Sequence, residues 1–212
     1  TQVLSSAASD VYKRQVSILS DEKTIISPVE SAVSYLITVP LQIWFIFWLL
    51  RRRKIDLSKN LGLYHFNRNA LIYSLVAYLI LYLVLTAYSY AFQISPPEEF
   101  IKLMQATPFV LNFLMVVICA PIVEELLFRG FLFSQLKTTK LGINGSIILT
   151  SLIWTSIHLQ YDLFLLIPIF LIGLLLGYLM HKYNSLYLVI IVHAVHNLQA
   201  TLFIEFFYDY FY

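Results

Sequence analysis

The sequence predicts an all-α fold, a polytopic membrane helix bundle of about six transmembrane helices. Three observations carry that expectation. Of the 212 residues, 59% are hydrophobic and only 12% are charged. The mean hydropathy is +0.77. The apolar residues also gather into runs close to the roughly 20 needed to cross a bilayer, which leaves no room for a large water-exposed catalytic domain. The formal net charge of +2, with 14 Lys and Arg, is too small and too dispersed for a nucleic-acid footprint. Lipid and other membrane segments are the expected partners. The single cysteine, Cys119, sits in an apolar run, so the sequence offers neither an intrachain disulfide nor a Cys-rich metal site.

Residues 1–27 read as an N-terminal tail. Within it, Asp10-Val11-Tyr12-Lys13-Arg14-Gln15 looks like the in-frame translation of a sequencing-library adapter, and no preceding run is apolar enough for a signal peptide. We expect 1–15 to be an assembly artefact. Residues 28–107 read as N-terminal transmembrane helices and loops. A first span over about 28–50 stops against Arg51, Arg52, Arg53 and Lys54, and a second over about 70–94 ends before Ser95-Pro96-Pro97-Glu98-Glu99, where prolines and charges break a helix.

Residues 108–212 read as the catalytic helix bundle. The third span begins near Pro108, carries Pro121, and fades between Ser134 and Lys140. A short fourth covers about 144–159, a fifth about 162–180 and a sixth about 186–207. Alternating loops put Arg51, Arg52, Arg53, Lys54, Lys59, Arg68, Lys137, Lys140 and Lys182 on one side and Lys13, Arg14, Lys23 and Lys102 on the other. The basic side is expected to be cytoplasmic and both termini extracytoplasmic, in a multi-pass cell-membrane protein. Phe206-Phe207-Tyr208-Asp209-Tyr210-Phe211-Tyr212 then reads as an interfacial aromatic anchor.

Ionisable groups at membrane depth cost at least about 2.5 kcal/mol each on insertion scales, so they mark a cavity, a partner or a function. Three spans carry them. The third holds Glu124, Glu125 and Arg129, the fourth holds His158, and the sixth holds His193, His196 and Asn197. At about 100° per residue, Glu125 and Arg129 share a face and can pair, while Glu124 points elsewhere. His193 and Asn197 have the same i, i+4 relation, so the amide is a plausible orienter of the imidazole. Counting residues at 1.5 Å each puts Glu124 and His193 at a common depth of roughly 12 to 14 Å, with His158 deeper. A carboxylate facing two imidazoles in a low-dielectric pocket suits hydrolysis, with the Glu moving protons and the histidines holding water or a metal.

Glu124-Glu125-x-x-x-Arg129, Trp154-x-x-x-His158 and His193-x-x-x-Asn197, in this order on successive spans, resemble the three motifs of the CPBP intramembrane proteases. That family includes CAAX prenyl endopeptidases and bacterial proteins linked to bacteriocin processing and self-immunity. The likeness runs from near Pro108 to near Phe207 and extends to Phe128-Arg129-Gly130. It implies an intramembrane endopeptidase in which Glu124 activates water, His158 and His193 contact that water or a metal, and Asn197 supports the transition state. Glu125 and Arg129 enter the candidate catalytic set as part of the first motif. Trp154 stands where the family usually has Phe, a change that keeps an aromatic packing residue. A zinc ion on His158, His193 and Glu124 and a metal-free mechanism use the same residues, so the metal stays open. The expected substrate is a peptide or membrane protein; the oligomeric state is not encoded legibly.

Blander readings stand beside these. Glu125 with Arg129 can be only a buried ion pair that sets helix packing. His196 belongs to no motif and reads as a packing residue or a support for the residues around the site; Cys119, Ser151 and Ser156 read as small packing residues. Gly173 and Gly177 form a G-x-x-x-G that allows close helix approach. The absence of His-Glu-x-x-His, Gly-x-Ser-Gly and Gly-x-Gly-Asp from the sequence removes three other intramembrane protease classes. The alternative from a different class is a catalytically silent membrane immunity or scaffold protein that binds a peptide or a partner helix. The adapter reading is tested by amplifying the native locus: an upstream open reading frame carrying the same codons overturns it.

Overall fold

The first helix starts where Ser27 and Glu30 exchange hydrogen bonds. Ser27 N–H donates to Glu30 Oε2 at 2.8 Å and Glu30 N–H to Ser27 Oγ at 3.2 Å, a reciprocal cap for N–H groups that a helix start leaves unpaired. In the computed structural model the described residues are 27–52, 56–159 and 161–211. The tail expected over 1–27 therefore lies outside them except for Ser27, as do Arg53 and Lys54 of the basic terminator and Tyr212 of the aromatic anchor.

Nine helices follow among the described residues: α1 Pro28–Arg52, α2 Leu57–Leu61, α3 Arg68–Ala91, α4 Glu98–Ala106, α5 Phe109–Leu136, α6 Gly142–Ser156, α7 Leu163–Tyr183, α8 Leu186–Phe206 and α9 Tyr208–Phe211. Short polar side chains start several of them. Asp56, Asn67, Asp162 and Ser185 each accept from the backbone N–H three residues on, the usual N-cap bond. This gives Asp162 a structural task. Helices α1, α3, α5, α7 and α8 are long and apolar enough to cross a membrane. The outer face of α3 exposes Tyr73, Val76, Ile80, Leu83 and Val84, at helical spacing that suits lipid rather than water. The chain is an all-α polytopic bundle.

The segment expected as a fourth span differs in one respect. Helix α6 has 15 residues, about 22 Å at 1.5 Å per residue, short of a hydrocarbon core about 30 Å thick. It ends at Ser156, and the chain reverses through a turn in which His158 N–H bonds Thr155 O at 3.0 Å and Tyr161 N–H bonds His158 O at 3.0 Å. His158 thus sits in the turn after the helix rather than within it.

Packing follows the small residues. A Cβ on Gly173 of α7 would lie 3.1 Å from Ser151 Cβ and Trp154 Cε3, and one on Gly177 would lie 3.0 Å from Ile147 Cγ2. The G-x-x-x-G face is therefore where α7 approaches α6. Helix α8 lies against α5, α3 packs across α7 and α8, and α1 covers the N-terminal half of α5. The short α2 closes the end of the bundle where α5 and α7 finish. Its Leu61 is fully buried and comes within 3.2 Å of where a Gly130 Cβ would stand. Gly62 O accepts from Leu186 N–H at 2.8 Å, and Tyr64 O accepts from Ser185 Oγ at 2.6 Å.

Two glycines with left-handed backbone separate local strain from packing. Gly62 has φ +67° and a Cβ there would meet Met180 Cε at 2.5 Å and Asn184 O at 3.2 Å, whereas Gly142, at φ +61°, has nothing within 4 Å. Gly142→Ala should cost only the left-handed penalty of about 1 kcal/mol, and Gly62→Ala distinctly more. Thermal unfolding in detergent checks this; equal midpoints would show that the loop is not held against α7.

Candidate active site

Helix α5 carries the two glutamates between stretches of widened turn. Residues Phe113–Cys119 and Leu126–Leu132 are π-helical, and Ala120–Glu125 between them is α-helical. Ala120 N–H reaches back to Met115 O and Phe133 N–H to Phe128 O, each five residues earlier. Such bulges tend to collect at functional sites because they re-aim the side chains beside them. Pro121, which has no N–H to donate, sits where the ladder has already slackened.

Glu125 and Arg129 are both fully buried and paired as their spacing predicts, with Arg129 Nη1 donating to Glu125 Oε1 at 2.7 Å. The same oxygen accepts from His193 Nδ1 at 2.8 Å. Arg129 Nη2 donates to Gly173 O at 3.1 Å, and its guanidinium carbon stands 4.8 Å from the centroid of the Trp154 ring, within cation–π range. One charge cluster thus joins α5, α7, α8 and the indole of α6.

Asn197 differs from its expected role. Its Nδ2 donates across to Val116 O at 2.8 Å, a carbonyl in the first widened stretch of α5, while Glu125 makes the bond that orients His193. An acceptor on Nδ1 makes Nε2 the lone-pair nitrogen of neutral His193. His158 reaches the same state differently. Its Nδ1 lies 2.9 Å from Trp154 O, a carbonyl that can only accept, so Nε2 again carries the lone pair.

Glu124 is half-buried and takes no part in the ion pair. Its Oε2 accepts from Trp154 Nε1 at 2.5 Å. The Trp154 ring stands edge-on to both imidazoles, 5.2 Å from His158 and 5.3 Å from His193. The structure therefore brings Glu124, His158 and His193 around one indole, a relation that a packing role for Trp154 does not express. The available signal was chemical: an indole carries a donor that a phenyl ring lacks. Tyr35 of α1, also unremarked in the sequence, lies within electrostatic reach of Glu124.

The remaining polar residues sit apart. His196 Nδ1 meets the Tyr78 hydroxyl at 3.3 Å, and that hydroxyl donates to Gln199 Oε1 at 2.7 Å. Ser151 and Ser156 bond back to Ile147 O and Ile153 O of their own helix, each at 2.7 Å. Among the described residues no group of three or more His, Cys, Asp and Glu side chains is placed to hold a metal ion.

Fold and site together define a class, a membrane helix bundle with an acid–histidine cluster assembled from α5, α8 and the turn after α6. Residues 106–199 match the family described as Type II CAAX prenyl endopeptidase Rce1-like, which supports membership of the CPBP family and, at family level, an intramembrane CAAX-type protease. No curated protein and no solved structure matches the chain.

The ion cluster predicts an asymmetric response to mutation. Arg129→Met leaves Glu125 buried beside His193 alone and should cost about 3–5 kcal/mol, whereas adding Glu125→Gln removes the stranded charge and should recover part of it. Thermal midpoints of the single and double variants in detergent check the sign; a double variant less stable than Arg129→Met would refute the assignment.

Proposed function

We propose that the protein is an intramembrane endopeptidase that hydrolyses a peptide bond with water activated by Glu124. The observation that supports it best is the contrast between the two adjacent carboxylates. Glu125 is held through its Oε1 by Arg129 and His193, whereas Glu124 is half-buried and bonded to a neutral donor, so it can take up and release a proton without breaking an ion pair.

In this reading water donates one O–H to Glu124 and the other to the Nε2 lone pairs of His158 and His193, which share it. Glu124 takes one proton as the water oxygen bonds to the peptide carbonyl carbon, and the carbonyl π pair moves onto its oxygen. The Asn197 amide has two N–H donors and spends one on Val116 O; the other is assigned to the developing oxyanion. When the tetrahedral intermediate collapses, the C–N bond breaks, and Glu124 delivers its proton to the leaving amine. Glu125 and Arg129 act through His193 and Trp154 as positioning residues. The zinc version of the proposal requires Glu124, His158 and His193 on one ion, an arrangement that the described side chains do not form, so the steps run through protein groups. The distribution of basic residues supports a cytoplasmic face at the α2 end, with extracytoplasmic termini. The substrate is a peptide or membrane-protein segment entering from the bilayer or its cytoplasmic surface.

The test compares new protein N-termini in the membrane proteome of cells making the wild type, Glu124→Ala or His158→Ala at equal membrane levels. Termini present only with the wild type are expected, each variant losing at least about 100-fold in activity. Identical profiles, with a cellular phenotype retained by Glu124→Ala, would favour the silent immunity or scaffold alternative.

A further inference from the structure

We propose that the indole N–H of Trp154 is a positioning device for the general base, holding one oxygen of Glu124 so that the other faces the attacking water. The inference rests on the reading of Glu124 above and extends it to a residue whose ring alone would suffice for packing.

The donor itself is tightly held. Trp154 is 3% exposed. The Arg129 guanidinium covers it at 4.8 Å, His158 and His193 meet it edge-on, and the bare Gly173 leaves only enough room behind its Cε3. Its backbone carbonyl also fixes the His158 ring through Nδ1. One residue thereby sets two members of the site, the carboxylate through its side chain and the imidazole through its main chain. A half-buried carboxylate on a flexible side chain would otherwise sample several rotamers, and each loss of alignment slows a step that depends on near-attack geometry. Oε2 is the oxygen that Trp154 occupies, which leaves Oε1 for water. The indole is a neutral donor, so it orients Glu124 without neutralising its charge.

Trp154→Phe keeps a ring beside both imidazoles and beneath Arg129 and removes only the donor. A hydrogen bond to a charged group corresponds to about 1.5–3 kcal/mol, so kcat is expected to fall about 10- to 150-fold. KM, measured on a quenched-fluorescent peptide spanning a bond found in the terminus comparison, should stay within about twofold, as should the membrane level. A second readout needs no turnover. The chain has 3 tryptophans, so the indole ¹⁵N–¹H resonance lost in Trp154→Phe identifies Trp154, and Glu124→Gln should move that resonance upfield as the charged acceptor disappears. Wild-type kcat in Trp154→Phe overturns the proposal. So does an indole resonance indifferent to Glu124→Gln, or a loss of activity that tracks a loss of folded protein. If Glu124→Gln shifts the resonance yet retains full activity, the contact exists but Glu124 is not the base, and the proposal falls with the reading beneath it.

Discussion

The structure depends on one buried cation. Arg129 has no exposed surface, and removing a guanidinium from water costs several kcal/mol that its partners must offset; both Nη atoms and the ring-facing side have one, while the buried Nε has none. The carboxylate comes from its own helix, the carbonyl from α7, and the aromatic face from α6. Glu125 then extends the cluster to His193 on α8. Such a cluster is a poor source of net stability compared with an apolar replacement, and its consequence here is geometric. Four helices have to meet at one height and one rotation for the charges to be paired, and that same meeting sets the positions of His158, His193 and Trp154.

Small residues and helix irregularities make the meeting attainable. Gly173 brings the α7 backbone close enough to present its carbonyl to Arg129, and a methyl group there would press on Trp154 and Ser151. Widened turns flank Ala120–Glu125 on both sides, and within that α-helical stretch the two neighbouring glutamates serve different helices, Glu125 turned to Arg129 and His193 and Glu124 to Trp154. The shortness of α6 serves the same end. The helix stops at Ser156 after 15 residues, and the turn that follows sets His158 beside the indole from its own helix, 5.2 Å between ring centroids.

What the sequence reveals about this arrangement, and what it conceals, follows from the range of each interaction. The Glu125–Arg129 pair, the separate direction of Glu124 and the small-residue face of α7 are relations within one helix, and helical periodicity reports those directly. The motif order places the chemistry on α5, α6 and α8. Contacts between helices depend on rotations that a single sequence does not express. His193 and Asn197 share a face, yet each bonds to α5, one through Glu125 and the other through Val116. Trp154 shows a different limit: its aromatic character is legible as packing, but only its rotation towards α5 puts the N–H on Glu124. The end of α6 at Ser156 was hidden for a third reason, since Ile157 and Leu159 continue an apolar run through a turn whose backbone is satisfied locally.

The two carboxylates then divide tasks that one group could not combine. A glutamate that balances a buried arginine must remain charged throughout turnover, because protonation would strand the guanidinium in a low-dielectric surrounding. A glutamate that relays a proton from water to an amine must change its charge in every cycle. Adjacent positions on one helix meet both demands, since a rotation of about 100° separates their environments while the backbone keeps their spacing constant. The burial follows the same division: Glu125 is sealed and Glu124 is half-buried, beside a donor whose neutrality lets the carboxylate gain and lose a proton without disturbing the charge cluster that aligns the helices.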